Sequence, residues 1–284
     1  MKSFSLNIRG RLLEYTRPVV MGIVNTTADS FYAPSRTGGN EAAERAAMMV
    51  RQGADMLDVG ACSTRPGSQS VSAKKEIAAL EQSLPAIRKA VGPDIPISVD
   101  TFRAEVARIA VRDLGADIVN DISGGLLDHD MIPTVSDLKA PYILMHMRGC
   151  PADMQTKTVY GESVAADVVK ELSEQLALCR RSGIADVILD PGFGFSKLLA
   201  QNYELMRDLP VLDILGCPIL VGISRKSMLT KLLFKSTEEA LNATTALNMA
   251  ALFKGASILR VHDVEQAKET VEIFCALEQK NFWL

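Results

Sequence analysis

The sequence predicts a (β/α)8 TIM barrel that is preceded by a short N-terminal β-hairpin, and three observations support this fold class. Short apolar runs alternate with longer amphipathic segments, which is typical of βαβ units with a parallel sheet. Eight such repeats fit into 284 residues, close to the ~250 residues of a typical barrel. Polar side chains follow most of the apolar runs, as they do at the functional face of a barrel. An open doubly wound sheet is the alternative, and eight repeats in this length favour the closed barrel.

The predicted elements follow from this alternation. The strands share a short apolar core and cover residues 19–24, 56–60, 95–99, 117–120, 142–145, 187–189, 219–222 and 257–260. The helices share amphipathic spacing and cover residues 41–52, 73–90, 103–114, 128–138, 161–182, 202–208, 237–254 and 264–278. We expect Ser72 and Thr237 to be N-caps, and Gly53 and Gly115 to follow helix ends. Residues 1–17 predict a hairpin that covers the bottom of the barrel.

Composition limits the class of protein. The net charge of −3 argues against a nucleic-acid surface, which needs clustered Lys and Arg. Five cysteines without a C-x-x-C pair argue against a zinc or disulfide framework and favour reduced thiols in the cytoplasm. No segment reaches the ~18 uninterrupted apolar residues of a membrane span, and the first residues lack the apolar core of a signal peptide. No linker tract is visible, so we expect one domain over residues 1–284, although the length alone permits two.

The predicted strands deliver polar groups to one rim, which is where the active site of this fold forms. In chain order these groups are Asn25, Arg65, Asp100, Asn120, His146, Asp190, Lys226, Arg260 and His262. A barrel without a ligand would place one or two such groups there, so their clustering predicts a functional site. The loops after the first two strands are long and polar, which makes them candidate lids.

The segment Asp190-Pro-Gly-Phe-Gly-Phe predicts a site for a planar heterocycle. A carboxylate at the end of a buried strand accepts N–H bonds, and the aromatics that follow offer a flat wall. The alternative is an ordinary βα turn with an N-capping Asp190. Together with Asp100, Asn120 and Lys226, this carboxylate predicts a deep polar slot. A shallower anion site is predicted from Asn25, Arg65, Arg260 and His262.

Several of these side chains have a structural alternative. His146 lies in an apolar context, so we predict a structural histidine rather than a catalyst. Phe193 and Phe195 would be ordinary core residues in the simpler interpretation, but their glycine-rich setting favours a ligand wall. Met145 and Met147 are more often core residues, although one of them would suit the face of a planar ring.

Seven ordered segments resemble the dihydropteroate synthases. They are Met21-Gly-Ile-Val-Asn25 with Asp29-Ser-Phe31, Asp58-Val-Gly60 with Ser63-Thr-Arg-Pro-Gly67, Ser98-Val-Asp-Thr101, Asn120-Asp-Ile-Ser-Gly124, Asp190-Pro-Gly-Phe-Gly-Phe195, Ser224-Arg-Lys-Ser227 and Arg260-Val-His-Asp-Val264. Any one segment is weak, whereas the ordered set is highly specific. The resemblance implies the barrel fold and an enzyme that joins 4-aminobenzoate to 6-hydroxymethyl-7,8-dihydropterin pyrophosphate, giving 7,8-dihydropteroate and pyrophosphate.

The resemblance also implies roles for individual residues. The pterin would be held by Asp100, Asn120, Asp190 and Lys226, with Met145 and Arg260 against its faces. Mg2+ would be bound by Asn25, and the pyrophosphate would be surrounded by Thr64, Arg65, Arg260 and His262. The 4-aminobenzoate site would be shaped by Pro66, Phe193, Lys226 and Ser227. The catalytic groups would be Asp100, Lys226 and Arg260.

The implied mechanism is dissociative. Pyrophosphate leaves first with the help of Mg2+, Asp100 stabilises the pterin methylene cation, and the aniline nitrogen then attacks. No general base is required, and none is evident in the sequence. The resemblance further suggests a homodimer that associates through the last helices.

The chain departs from the family pattern at three positions. Ala28 replaces a usual proline, Cys62 a common glutamate and Ser196 a frequent glycine, which bears on loop order and affinity rather than on the reaction class. A methyltetrahydrofolate-binding barrel of a corrinoid methyltransferase is an alternative, but it would not use the 63–67 loop. A non-catalytic pterin-binding protein stays open as well. An unrelated phosphosugar enzyme would not require Asp190 followed by two phenylalanines.

Overall fold

Eight parallel strands alternate with helices, after a two-stranded antiparallel hairpin. The computed structural model describes residues 3–26, 38–61 and 71–279. The hairpin consists of β1 (Phe4–Ile8) and β2 (Arg11–Tyr15). The parallel strands are β3 (Val19–Asn25), β4 (Met56–Gly60), β5 (Ile97–Asp100), β6 (Ile118–Asp121), β7 (Tyr142–Met145), β8 (Val187–Asp190), β9 (Leu220–Val221) and β10 (Ile258–Val261). The α-helices are α1 (Gly38–Arg51), α2 (Ala73–Val91), α3 (Ala104–Arg112), α4 (Met131–Leu138), α5 (Val164–Arg181), α6 (Leu199–Arg207), α7 (Ser227–Leu233), α8 (Leu241–Phe253) and α9 (Val264–Glu278).

The parallel sheet closes on itself. Its strands neighbour one another in the order β8-β7-β6-β5-β4-β3-β10-β9. The two edges meet where Leu189 pairs with Ile219 in an isolated parallel bridge. The amide of Leu189 donates to the carbonyl oxygen of Pro218 at 2.9 Å. The predicted TIM barrel is therefore confirmed over the open doubly wound sheet.

An apolar layer fills the N-terminal end of the barrel. Its inward-facing members are Val19, Met21, Met56, Ile118, Ile143, Ile188, Leu220 and Ile258. The hairpin contributes Leu6 and Ile8 to the same cluster, and the amide of Asn7 donates to Asp186 Oδ2 at 2.8 Å. The hairpin thus covers the bottom of the barrel, as predicted, so a ligand can enter the barrel interior only from the opposite end.

The helices pack on the outside of the strands. Val168, Leu172 and Leu176 of α5 are buried at a spacing of four residues, so they form one apolar stripe towards the sheet. Burial of each such side chain contributes about 1.5–3 kcal/mol. In the ranges that the structure describes, no helix is long and apolar enough to cross a membrane.

The predicted element boundaries are mostly within a few residues of the observed ones. Ser72 caps α2 as predicted and accepts a hydrogen bond from the amide of Lys75. The prediction that Thr237 caps a helix over 237–254 is wrong, because a short 3-10 turn intervenes and the Thr237 side chain accepts no capping bond. The sequence analysis also missed α7 and the 3-10 segment Leu209–Leu215. Short elements of this kind carry too few residues for a period to be visible.

Candidate active site

A polar layer lies directly above the apolar layer of the barrel. Side chains alternate along a strand, so the inward position after each apolar residue is two residues further on. On four strands this next position carries Asp58, Asn120, Asp190 and Arg260. Asp100 ends β5 and pairs in register with Asn120. The structure therefore brings together the predicted deep slot at the C-terminal ends of the strands.

Arg260 lies between two carboxylates in this layer. Its Nε donates to Asp58 Oδ2 at 2.6 Å, and its Nη2 donates to Asp100 Oδ2 at 2.9 Å. The two aspartates come from the adjacent strands β4 and β5, and the arginine comes from β10, which is separated from β4 by β3. This ion-pair cluster holds the guanidinium inside the slot, and the predicted contact of Arg260 with the anion stays a prediction.

Asp58 also sets the orientation of Asn120. The Asn120 amide nitrogen donates to Asp58 Oδ2 at 3.0 Å, which leaves the amide oxygen as the remaining acceptor. Asp58 is completely buried, and its Oδ1 has no hydrogen-bond partner among the described residues. The sequence analysis gave Asp58 no role. The available signal was a charged residue within the otherwise apolar strand Met-Leu-Asp-Val-Gly.

The carboxylates of Asp100 and Asp190 both have raised pKa values. Burial, and then the neighbouring charge of Asp58, raise the pKa of Asp100 to about 7, although Arg260 opposes the shift. Burial also raises the pKa of Asp190, against the nearby positive charge of Lys226. Perturbed carboxylates that share a cleft are typical of functional sites.

Lys226 lies beside Asp190 at the edge of the slot. Its Nζ donates to the carbonyl oxygen of Phe193 at 2.5 Å and lies 4.8 Å from the centre of the Phe195 ring. Burial lowers the pKa of Lys226 to about 8, although Asp190 favours the charged form. A Cβ atom at Gly222 would lie 3.9 Å from Asp190 Oδ2 and 3.8 Å from Arg260 Cδ. Glycine at this position therefore leaves space between the two groups.

The two phenylalanines of the glycine-rich loop have different positions. The Phe193 ring is completely buried in the core outside the barrel, so the prediction that this ring forms a ligand wall is wrong. Only its carbonyl oxygen faces Lys226. The Phe195 ring is half-buried and packs against a cluster that contains Met145 and Met147. Residues 193 and 195 are each preceded by a glycine in the left-handed region. The direction in which this turn points each ring could not be predicted from the sequence.

The remaining rim residues surround the slot. Asn25 ends β3 with an exposed side chain, and Ser227 is exposed at the start of α7. His262 follows β10, and its Nδ1 lies 3.0 Å from Ser224 Oγ. Arg225, at φ +54°, donates to both oxygens of Asp263 at 2.8 and 2.9 Å. This ion pair connects the loop after β9 with the loop after β10, and so it positions the backbone of the neighbouring Lys226.

Two family segments, residues 29–31 and 63–67, lie outside the described residues, and so do Ala28 and Cys62. The assigned residues Thr64, Arg65 and Pro66 are among them. The two candidate lid loops fall largely on the same segments. Their assigned roles therefore stay predictions.

His146 is a structural residue, as predicted. It is buried, its Nε2 lies 2.9 Å from Glu171 Oε2, and its Nδ1 lies 3.0 Å from Lys197 Nζ. Burial lowers the pKa of His146 to about 4 and that of Lys197 to about 7. Lys197 was not singled out by the sequence analysis, since nothing in the pattern separates it from a surface lysine.

Ser196 explains one departure from the family pattern. It has φ +48°, in the left-handed region where glycine is favoured. The side chain is completely buried, and its hydroxyl oxygen accepts a hydrogen bond from the amide of Arg148 at 2.8 Å. The serine therefore offsets backbone strain with a bond that glycine would not make.

A metal ion would find few protein ligands here. Within residues 3–26, 38–61 and 71–279, no group of three or more His, Cys, Asp or Glu side chains is arranged to hold a metal. The exposed amide oxygen of Asn25 is one hard ligand at the rim. Mg2+ commonly keeps several waters and takes one or two protein oxygens together with substrate phosphates, so this donor fits it.

Comparison with known proteins gives a consistent result. The family model described as pterin binding enzyme matches residues 21–262. A dihydropteroate synthase of Synechocystis sp. is 44% identical over 273 residues, covering 92% of this chain and 90% of the relative. The structure is similar to the Yersinia pestis dihydropteroate synthase with a sulfonamide drug complex (TM-score 0.89, 35% identity, 96% and 98% coverage). It is also similar to the Thermus thermophilus enzyme in complex with 4-aminobenzoate (TM-score 0.84, 35% identity, 96% and 100% coverage).

Substitutions at Ser196 test the balance between strain and hydrogen bonding. Ser196→Ala keeps the left-handed strain and loses the bond to Arg148, so we expect a loss of about 1–2 kcal/mol in the free energy of unfolding. Ser196→Gly loses the same bond but relieves about 1 kcal/mol of strain, so it should be the more stable of the two. Urea denaturation measures both values.

Ser173 within α5 provides the matched control. There glycine should be less stable than alanine by about 1 kcal/mol, because a helix interior disfavours glycine. An alanine variant at position 196 that is as stable as the glycine variant would contradict the strain argument.

Proposed function

Because the chain belongs to the dihydropteroate synthases, a family of pterin-binding enzymes, we propose that it joins 4-aminobenzoate to 6-hydroxymethyl-7,8-dihydropterin pyrophosphate. The products are 7,8-dihydropteroate and pyrophosphate. The observation that carries this proposal is the polar layer on an apolar floor, in which Asp58, Asp100 and Arg260 form one buried cluster beside Asn120 and Asp190.

The polar layer suits the edge of a pterin ring. Asp190 and Asp100 accept from ring N–H and amino groups, and the Asn120 amide oxygen offers a third acceptor. Lys226 donates from the side to a ring nitrogen or carbonyl oxygen. Met145, which is almost completely buried at the end of β7, supplies an apolar surface for one ring face. These groups lie at the end of the barrel opposite the hairpin.

The chemistry follows from charge placement. When pyrophosphate leaves, positive charge develops on the pterin methylene and spreads into the ring. The ionised Asp100 favours this cation electrostatically in a site of low dielectric constant. The arylamine nitrogen then attacks the methylene carbon and releases its proton to solvent. The described residues contribute charge and orientation, and the predicted contacts of Thr64, Arg65 and Pro66 belong to the same proposal.

Asn25 is the residue that would bind Mg2+. When bound, the ion would neutralise charge on the departing pyrophosphate. His262, which follows β10, is assigned to the same anion site, and its Nδ1 lies 3.0 Å from Ser224 Oγ. The 4-aminobenzoate ring would lie near Lys226, Phe195 and the exposed Ser227.

A homodimer in the cytoplasm completes the proposal. Apolar side chains are exposed on or directly after α7, α8 and α9: Phe234 is 96% exposed, Phe253 55%, Ile273 55% and Leu277 65%. Exposed apolar groups of this size favour an interface. The free thiols of Cys150, Cys179, Cys217 and Cys275 are compatible with a reducing compartment.

Substitution of one of these exposed apolar side chains tests the dimer. We expect Phe234→Glu to weaken self-association at least about tenfold, as loss of a buried aromatic at an interface does. Sedimentation equilibrium measures the dissociation constant. Leu178→Glu, at an exposed leucine on α5, is the matched control and should leave association unchanged. A wild-type protein that stays monomeric at micromolar concentration would overturn the dimer proposal.

Turnover tests the proposed reaction directly. The wild-type protein should release pyrophosphate and form 7,8-dihydropteroate in equal amounts when Mg2+ and both substrates are present. Lys226→Ala should lower kcat/KM by about 10- to 100-fold, because it removes a charged donor from the slot. Lys231→Ala, an exposed lysine on α7, should stay within about twofold of the wild type. Pterin binding without any product would instead favour a non-catalytic pterin-binding protein.

The pH dependence of pterin binding tests the Asp100 carboxylate. Its pKa is raised to about 7, so the group becomes protonated as the pH falls through 7. A neutral carboxyl group is a poorer acceptor for ring N–H groups, so pterin affinity should fall about tenfold per pH unit below 7. Isothermal titration calorimetry between pH 5.5 and 8.5 measures this slope.

Asp58→Asn is the informative variant for this titration. It removes the like charge next to Asp100 and leaves Arg260 to that carboxylate alone, so the midpoint should move to lower pH. Titration of the ligand itself affects both proteins equally. An unchanged midpoint in the variant would show that Asp58 and Asp100 are not coupled.

A further inference from the structure

We propose that Lys197 is a positioning residue for the arylamine substrate, an inference that rests on the proposed function. Its side chain binds two carbonyl oxygens of the glycine-rich loop after β8. These contacts position Phe195 and the Phe193 carbonyl oxygen beside Lys226. Lys197 belongs to a buried chain of hydrogen bonds that begins at Glu171 and passes through His146. None of these three residues is needed by the reaction as derived above.

The Lys197 amine has three acceptors. Its Nζ lies 3.0 Å from His146 Nδ1, 3.0 Å from the carbonyl oxygen of Gly192 and 3.1 Å from that of Phe195. The residue is 4% exposed. Three acceptors match the three N–H bonds of a protonated amine, so every donor of this buried group is satisfied.

His146 connects the amine to a carboxylate. The Glu171 carboxylate can only accept, so the Nε2 that lies 2.9 Å from it carries the ring proton. The neutral ring then presents a lone pair at Nδ1 to Lys197. Arg148 donates to the same Glu171 from its Nε at 2.9 Å and keeps the carboxylate in place. Glu171 thereby determines which atoms carry the protons in the hydrogen bonds from Glu171 through His146 to Lys197.

The loop that Lys197 holds carries the functional contacts. The Gly192 amide donates to Asp190 Oδ1 at 2.8 Å, and the Phe193 carbonyl oxygen accepts from Lys226. A Cβ atom at Gly192 would lie 2.0 Å from the carbonyl oxygen of His146, so the loop is seated against the end of β7 with no spare room. Without the amine, two loop carbonyl oxygens would be left buried without a donor.

The geometry separates this role from substrate contact. The amine points to the side of the loop that faces His146, whereas the Phe195 ring and Lys226 face each other across 4.8 Å. Loss of Lys197 should therefore weaken the aromatic wall first. It should affect the pterin less, because Asn120 and Arg260 are held by Asp58, and Asp100 is held by Arg260, on other strands.

Steady-state kinetics at fixed pH test the proposal. We expect Lys197→Met to raise KM for 4-aminobenzoate at least about tenfold, while kcat and KM for the pterin substrate change less than about threefold. Glu171 is the partly exposed first member of the hydrogen-bonded series, so Glu171→Ala is the variant least at risk of unfolding. It should raise KM for 4-aminobenzoate about threefold. Lys170→Met, an exposed lysine on α5, is the matched control and should change neither constant.

The decisive result is whether KM for 4-aminobenzoate rises while KM for the pterin substrate does not. A residue that only stabilises the fold would lower the melting temperature and the active fraction, and would leave both KM values unchanged. That result, or an equal rise in both KM values, would overturn the positioning role. The double variant Lys197→Met/Glu171→Ala should raise KM for 4-aminobenzoate by less than the product of the two single effects, because both residues act through the same hydrogen bonds.

Nitrogen NMR of labelled histidine gives a readout that does not depend on turnover. The chain has three histidines, so the His146 signals are readily assigned with a His146→Gln variant. Because Glu171 determines the tautomer, we expect Nε2–H in both the wild type and Lys197→Met, whereas the Nδ1 signal should shift in Lys197→Met because that nitrogen has lost its donor. A wild-type protein without turnover would refute the proposed reaction and leave this measurement intact. An unchanged Nδ1 signal in the variant would refute the role of Lys197 and leave the reaction intact.

Discussion

The ion-pair cluster of Arg260 with Asp58 and Asp100 is the constraint on which the site depends. A charge in a barrel interior is tolerated only with closely placed partners, and removal of one partner leaves an uncompensated charge. The three groups come from β4, β5 and β10, so their geometry requires the closed barrel and its register. The apolar layer beneath them keeps water away from below. The strength of the cluster is therefore inseparable from the closure of the sheet.

Functional properties follow from this cluster at short range. Asp58 directs the Asn120 amide oxygen outward, and its charge raises the pKa of Asp100. On the opposite side of the slot, backbone groups rather than side chains position the functional residues. There Asp190 is held by a backbone amide of its own loop, and Lys226 is held by a carbonyl oxygen of the same loop. One side of the slot is thus positioned by side chains on strands, and the other by backbone supported from the buried Lys197.

Sequence reasoning reached the fold and most of the slot because both depend on regular periods. Alternation of apolar and amphipathic segments identified the strands, and polar residues at strand ends identified Asp100, Asn120 and Asp190. The reasoning failed where the outcome depended on local backbone geometry. Phe193 and Phe195 are two residues apart in a glycine-rich turn, and the turn directs one ring into the core and the other towards Lys226. Ser196 stands where glycine is frequent in the family, but its positive φ and its bond to Arg148 were seen only in the structure.

The sequence by itself determined the barrel, the end at which ligands bind and the family to which the chain belongs, since these follow from periodicity and ordered motifs. The tertiary structure alone decided which polar groups pair with one another. Asp58 and Arg260 are 202 positions apart, and Lys197 and His146 are 51 apart. No local preference specifies such contacts, because they arise only when strand register and loop packing bring distant side chains within hydrogen-bonding distance.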